Sequence, residues 1–230
     1  MKLLLVLGLL LPATAALAQP KLHQPLKREL DSILVEDQRF RGLIVGLNNG
    51  QGDSLETALH LAKGQLFTYI ITNMDRVDSL NLRRVEVLIQ RYGYPGKSLV
   101  GTPTNIAAWY VLQHSSKIAQ YLPLIQQAAE TGELPYYRYA QMLDRQLVAE
   151  GKEQLYGTQG SSFNVLNKAT GQRETVSFIW PIKDAARVNA RRRQAGFRDT
   201  IEASAAEMHL PYKPVTLEYA KRVQQQSQAK

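Results

Sequence analysis

Four polar side chains stand where helical spacing calls for apolar ones, and their chemistry is that of proton transfer and polar recognition. Asp37 lies three or four residues from Ile33, Leu34 and Phe40, and seven from Leu30 and Ile44. Asp144 lies four residues from Ala140 and Val148, three from Leu147 and seven from Tyr137. His114 follows Val111, Tyr110 and Ala107 by three, four and seven residues, with Gln113 beside it on the Ile106 and Trp109 side. On helices, these spacings turn all four groups toward the interior or a cleft in it. An unpartnered buried polar group costs roughly 1–3 kcal/mol and a buried charge more, so each group needs a partner or a function.

A histidine oriented by a carboxylate can act as a general base near neutral pH, and two carboxylates with an imidazole in one core shift each other's proton affinities. The catalytic candidates are therefore His114 as base, Asp144 as its orienter, and Asp37 to hold or protonate a substrate. Gln113, Arg145, Tyr156 and Gln159 are the substrate-binding candidates, the last two as hydrogen-bonding groups that a short strand ending in Gly157 could bring to the rim of the helical core. A structural reading stands beside each. A carboxylate on a helix stripe can anchor an arginine or cap a neighbouring helix, a core histidine can simply be hydrogen-bonded, and Tyr156 and Gln159 can pack a ring and satisfy turn backbone.

The elements that must position these groups are mostly helical. Leu26, Leu30, Ile33, Leu34, Phe40 and Ile44 predict a helix over 25–47 with one buried stripe, broken by Asn48-Asn49-Gly50-Gln51-Gly52. The stretch 53–71 is ambiguous, although Asp53 as N-cap followed by Leu55, Leu59 and Ala62 fits a further helix. A helix over 77–92 puts Leu82, Val85, Leu88 and Ile89 inward and ends at Gly93-Tyr94-Pro95-Gly96. Thr104 or Asn105 can cap a helix over 106–114 that is apolar nearly all round and so belongs at the centre. Helices over 117–130 and 135–150 follow, stopped by Gly132 and Gly151. The period then becomes extended, with strands expected at 154–158, 163–166 and 175–179, and Lys168-Ala169-Thr170-Gly171 turning the last two into a hairpin. Helices over 184–194 and 215–226 close the chain. The expected fold is mostly α (α+β): a single helical-bundle-like domain over 19–230, with a small antiparallel β-hairpin element at about 154–180.

Trp109-Tyr110-Val111-Leu112-Gln113-His114, Asp144-Arg145, Tyr156-Gly157-Thr158-Gln159 and the upstream Gly93-Tyr94-Pro95 resemble a bacterial domain-of-unknown-function family, found mostly in exported or otherwise uncharacterised proteins. The likeness spans Leu26 to Gly196, and Asp37-Gln38 and the Asp78, Asn81, Arg84 spacing also look like family positions. The chain departs from the pattern where Ser116 replaces an acidic residue that commonly follows the Gln-His-small triplet. The resemblance supports the choice of residues and implies no reaction.

Composition narrows the classes. The chain has 230 residues, 44% hydrophobic and 21% charged, a formal charge of +8 and no cysteine, which excludes a disordered chain, a disulfide scaffold and a thiolate metal site. Lys2, the apolar run Leu3 to Leu11, and Ala16-Leu17-Ala18 form a signal peptide over residues 1–18 with cleavage expected before Gln19. Nine apolar residues fall short of the roughly 20 that span a bilayer, so no membrane span is expected and the mature protein should be secreted or periplasmic. Its positive balance suits an acidic cell-surface polymer or an anionic membrane face, with no nucleic acid expected. Arg187, Arg191, Arg192 and Arg193 are the densest basic cluster, a solvated face or a set of partners for carboxylates.

Several motifs fail on their mechanics. Gly93 to Ser98 ends like a phosphate loop, but only two residues separate its glycines and Arg91 occupies the first glycine's place. The four histidines, His23, His60, His114 and His209, are too far apart to pair locally on zinc, and no metal or cofactor is expected. What remains is an exported protein whose polar cleft binds a small polar ligand or envelope fragment, with hydrolysis by a His–Asp pair as its enzymatic form. The rival is a non-catalytic interaction or scaffold protein using the basic helix around Arg191.

Overall fold

The computed structural model describes residues 21–167 and 169–228. The expected signal peptide at 1–18 and its cleavage before Gln19 lie outside the described residues. The chain is mostly helical with one antiparallel hairpin. Its helices are α1 (Gln24–Asn48), α2 (Gly52–Ala58), α3 (Leu66–Tyr92), α4 (Lys97–Val100), α5 (Ala107–Gln113), α6 (Ile118–Glu130), α7 (Tyr136–Ala149), α8 (Val188–Gln194), α9 (Ile201–Glu207) and α10 (Leu217–Gln228). The strands are β1 (Gly160–Leu166) and β2 (Arg173–Ile179), paired in a register running from Gly160 opposite Ile179 to Leu166 opposite Arg173.

α1 begins where His23 Nδ1 accepts the Leu26 N–H at 3.1 Å, with Pro25 in the first turn, where its missing N–H costs nothing. α3 starts eleven residues before the position expected from the sequence, because Leu66, Ile70 and Val77 continue the buried stripe that Asn81 and Val85 extend. Its first turn is held by Glu56 of α2, whose carboxylate accepts the Leu66 N–H at 3.1 Å and places a negative charge at a helix N-terminus. Gly93, at φ +70°, closes α3. Asp53 lies in the first turn of α2 and is not its cap. Neither Thr104 nor Asn105 caps α5. Thr104 Oγ1 donates to Asp31 at 2.6 Å, and Asn105 Nδ2 donates to the Glu133 carbonyl at 2.9 Å.

The main core lies among α1, α3, α5, α6 and α7, where Leu30, Ile33, Val85, Leu112, Ile125 and Met142 are fully buried. Each such side chain contributes on the order of 1.5–3 kcal/mol of burial. Trp109 sits in this core with its indole N–H on the Arg138 carbonyl at 2.8 Å. A two-stranded hairpin alone is marginal in water, and α10 covers this one through Phe178, Trp180, Ala220 and Val223. Trp180 gives its indole N–H to the Lys152 carbonyl at 2.8 Å, tying hairpin to α7's end.

Candidate functional site

Polar groups from α1, α3, α5 and α7 meet beside the main core. Asp37, only 1% exposed, comes from α1, and Arg41 follows one helical turn later. Arg41 grips Asp78 of α3 with both terminal nitrogens, at 2.9 and 3.1 Å, and gives a further bond to the Asp37 carbonyl at 2.6 Å. Gln38 donates to Asp37 Oδ2 at 2.6 Å. Asp37 Oδ1 is buried with no hydrogen bond, although Arg41 Nη1 lies 3.2 Å away in ion-pair range. Distance without alignment gives Coulomb attraction and leaves the oxygen's directional need unmet. Burial raises the Asp37 carboxyl above the usual carboxylate range, against the pull of Arg41.

His114 stands at the other side of the cluster, and it differs from the expected buried base. α5 ends at Gln113, so His114 is the residue beyond its last turn, exposed, with its N–H on the Val111 carbonyl at 3.3 Å. Gln113 is the buried member of the pair, and its Nε2 lies 3.3 Å from His114 Nε2. Desolvation and the charges of Arg41 and Arg145 push the imidazole down to about 4, so the ring is neutral at physiological pH. Partial burial of the ring is the largest cause, and the two cations act in the same direction. Arg145 of α7 reaches the Gln113 carbonyl at 3.5 Å and completes the cluster.

Asp144 does not orient His114. It is fully buried, and both its oxygens face the loop after α7. Oδ1 accepts the Leu155 N–H at 2.7 Å, the Tyr156 N–H lies 3.1 Å from each oxygen, and Thr158 gives Oδ2 its N–H at 3.1 Å and its hydroxyl at 3.0 Å. Burial raises the Asp144 carboxyl, and these donors oppose the rise. The same bonds explain why the strand expected at 154–158 is absent. Backbone N–H groups committed to a carboxylate cannot join a ladder, and of this stretch only Gln154 makes a bridge, to Ile182. Gly157, at φ +73°, lets the loop pass where a Cβ would strike Ile201 and Ile182.

Tyr156 and Gln159 belong to this loop and not to the His114 cluster. The Tyr156 ring packs beside Phe197 at 6.0 Å, and Gln159 Nε2 donates to the Thr158 carbonyl and hydroxyl, each at 3.0 Å. Burial pushes the Tyr156 phenol up to about 12. Gln154, which the sequence reading did not single out, and Arg192, which it offered as a partner for carboxylates, complete the groups that clamp this loop. Gln154, fully buried, donates to the carbonyls of Gln159 and Trp180 and accepts the Gln159 N–H. Arg192, 1% exposed, pairs with Asp199 at 2.8 Å and bonds the Tyr156 carbonyl. Arg191 likewise bonds the carbonyls of Leu155, Lys183 and Asp184, so two of the four clustered arginines are spent inside the protein.

A cavity of about 600 Å³ adjoins this clamp and is lined among others by Tyr137, Gln141, Thr158, Arg192 and Phe197. Its one buried charge, Arg192, is already paired, so volume alone recommends it. A smaller cleft of about 280 Å³ opens at His114 and is bordered by Asp75, Asp78, Ser79, Ser115 and Ser116. Asp78, gripped by Arg41, and the His114 side chain form part of its wall. Arg41 and Asp78 were the other residues missed as site members, although Asp37 and Arg41 stand at the i,i+4 spacing that pairs charges along a helix.

Among the described residues, no helix is long and apolar enough to cross a membrane, and no group of three or more His, Asp or Glu side chains could hold a metal ion. No curated protein and no solved structure matches the chain. A family model matches residues 64–205, beginning later and ending later than the likeness read from motifs, and it takes in Asp78, Gln113, His114, Asp144, Arg145, Tyr156 and Gln159. The chain therefore belongs to the family of unknown function DUF6624.

Proposed function

We propose that this is an exported protein that binds a small polar ligand in the cleft at His114, and that binding, not hydrolysis, is its activity. The observation that carries the reading is the meeting of Asp78 from α3 and His114 after α5 at the wall of an open cleft, with Arg41 of α1 held on Asp78 and Asp37 Oδ1, in ion-pair range of Arg41, left without a hydrogen bond. Buried polar atoms in a settled scaffold are satisfied, and an unmet one marks a place prepared for something else. A neutral imidazole with a carboxamide beside it is a good hydrogen-bonding surface. It is a weak base, because the nearby charges are cationic and Asp144 is committed elsewhere. Export rests on the sequence of residues 1–18, whose charged start, apolar run and small-residue end fit a signal peptide.

The test is a thermal-shift screen of the mature chain against sugars, short peptides and nucleotides, since a ligand of the native state raises its stability. Hits are mapped by NMR on the side chains of Gln113 and His114. The expected result is a compound class that raises Tm and moves these resonances, with both effects lost in His114→Ala at unchanged Tm of the free protein. Hits that map to the Tyr137–Phe197 cavity, or a panel without hits, overturn the reading.

A further inference from the structure

α1 and α3, 25 and 27 residues long, lie antiparallel, since Asn81 reaches the Ile33 carbonyl while Arg41, further along α1, reaches back to Asp78. Helices of this length extend roughly 40 Å. On α1, Arg28, Val35 and Arg39 follow one another by seven and four residues, and on α3, Arg76, Leu80, Arg83 and Val87 follow by four, three and four, so each set forms one stripe. Every one of these side chains is exposed. A groove of about 330 Å³ joins the stripes, with Glu36 and Arg39 on the α1 side and Arg76 and Leu80 on the α3 side. Exposed apolar residues scattered singly need no explanation, but Val35 at 70%, Val87 at 62% and Leu80 at 41% exposure share this one face, and nothing among the described residues covers them.

The charge of the face limits what can cover it. The acids of the two helices are engaged or lie elsewhere. Arg84 bridges Glu29 and Glu36 at 2.9 and 3.0 Å, Lys27 holds Asp31, Lys117 holds Glu86, and Asp37 is buried. Asp75 and Asp78 border the His114 cleft, on the flank of α3 away from Arg76 and Leu80. The face therefore presents an excess of positive charge, and a second copy of this chain would meet its like. A protein partner of opposite charge would be expected to seat aromatic anchors in a central pocket. Here the exposed apolar groups are aliphatic, and arginines separate them along both stripes. That alternation suits a membrane interface, where short apolar tips enter the headgroup boundary while the long arginine stems keep their charge at the phosphates.

We propose that the outward face of α1 and α3 docks on an anionic phospholipid surface, with Val35, Leu80 and Val87 entering the interface and Arg28, Arg39, Arg76 and Arg83 meeting the lipid phosphates. The protein lies on the bilayer and does not cross it. The charge of +8 on the whole chain adds longer-range attraction to the same surface. Docking leaves the His114 cleft uncovered, because its acidic wall stands on the other flank of α3, so the proposal is independent of what that cleft binds.

The test is co-sedimentation of the mature chain with vesicles of phosphatidylglycerol and phosphatidylcholine, with vesicles of phosphatidylcholine alone, and a parallel titration with soluble polyglutamate. The expected result is binding to the anionic vesicles that weakens as salt is added, and none to the neutral ones. Arg39→Gln combined with Arg76→Gln should weaken vesicle binding at least tenfold. Leu80→Ser combined with Val87→Ser should weaken it at least threefold and leave polyglutamate binding unchanged, since a soluble polyanion has no apolar interior to enter. Arg193→Gln combined with Lys213→Gln removes the same charge from another exposed surface and should stay within twofold of wild type. Circular dichroism checks that each variant is folded, and should the arginine pair not fold, the Leu80 and Val87 pair decides. An equal loss in the Arg193 and Lys213 pair overturns the inference, because net charge alone would then explain the binding. Polyglutamate bound through Arg39 and Arg76 while vesicles are ignored overturns it in favour of an acidic macromolecule. A dimer in sedimentation velocity that Leu80→Arg dissolves overturns it in favour of a second copy, and absence of binding to anionic vesicles overturns it outright.

Discussion

Asp37 and Asp144 are buried to nearly the same degree, at 1% and 0% exposure, and their circumstances are opposite. Asp144 takes three backbone N–H groups and a hydroxyl, and its carboxylate is what shapes residues 155–158. Asp37 has Gln38 on one oxygen and no hydrogen bond on the other, while Arg145 has no carboxylate partner among the described residues. Burial alone therefore cannot separate an anchor from a prepared site. What separates them is how much of each group's hydrogen-bonding capacity the protein itself consumes. The clamp consumes nearly all of it, and the His114 cluster does not.

The sharpest test of that contrast is Asp144→Ala. It orphans three backbone N–H groups in a buried loop and should cost about 3 kcal/mol or more, read as a large fall in urea midpoint or as failure to fold. Gln154→Ala should come next, at about 2 kcal/mol, because it strips partners from both backbone groups of Gln159 and from the Trp180 carbonyl. His114 should act through pH. Its folded pKa of about 4 lies below its ordinary 6.5, so its contribution is complete above 6.5 and is lost as pH falls toward 4. Asp37, raised, has the opposite sign, so the comparison must be made against His114→Gln, which should remove only the first slope in denaturation at successive pH values. Water screens an exposed ring, so that difference should be about 1 kcal/mol or less. Asp37→Asn should be cheapest, within about 1 kcal/mol in the same urea experiment, since the amide keeps an acceptor for Gln38 and replaces a buried carboxylate oxygen that has no hydrogen bond. A cost equal to that of Asp144→Ala would place both aspartates in the scaffold and dissolve the contrast.

Periodicity made most of the helices legible, because α1, α6 and α7 each carry one clean apolar stripe and end at recognisable glycines or polar turns. It missed the first turns of α3, whose cap is the side chain of Glu56 in another helix, a relation that no local window contains. The same periodicity placed Asp37, Gln113 and Asp144 inside. It erred on His114 because a helical wheel assumes that the helix continues, and α5 stops one residue short. The strand expected at 154–158 failed for a related reason. Alternation there describes an extended chain, but its N–H groups answer to a carboxylate ten or more residues back in sequence. Partner identity is a three-dimensional property, so the sequence could offer Asp144 and His114 as candidates and could not say that they serve different regions.

The two indoles described above divide the molecule optically. Trp109 lies in the helical core against Arg138, while Trp180 hangs on Lys152 at the junction of hairpin and clamp. The chain contains two tryptophans in all, so replacing either with phenylalanine leaves a single fluorophore dedicated to one region. Emission from the Trp180→Phe protein would report the helical body by itself, and emission from Trp109→Phe the clamped loop and hairpin. Melting curves from the pair would reveal whether heat undoes both halves together or peels one from the other.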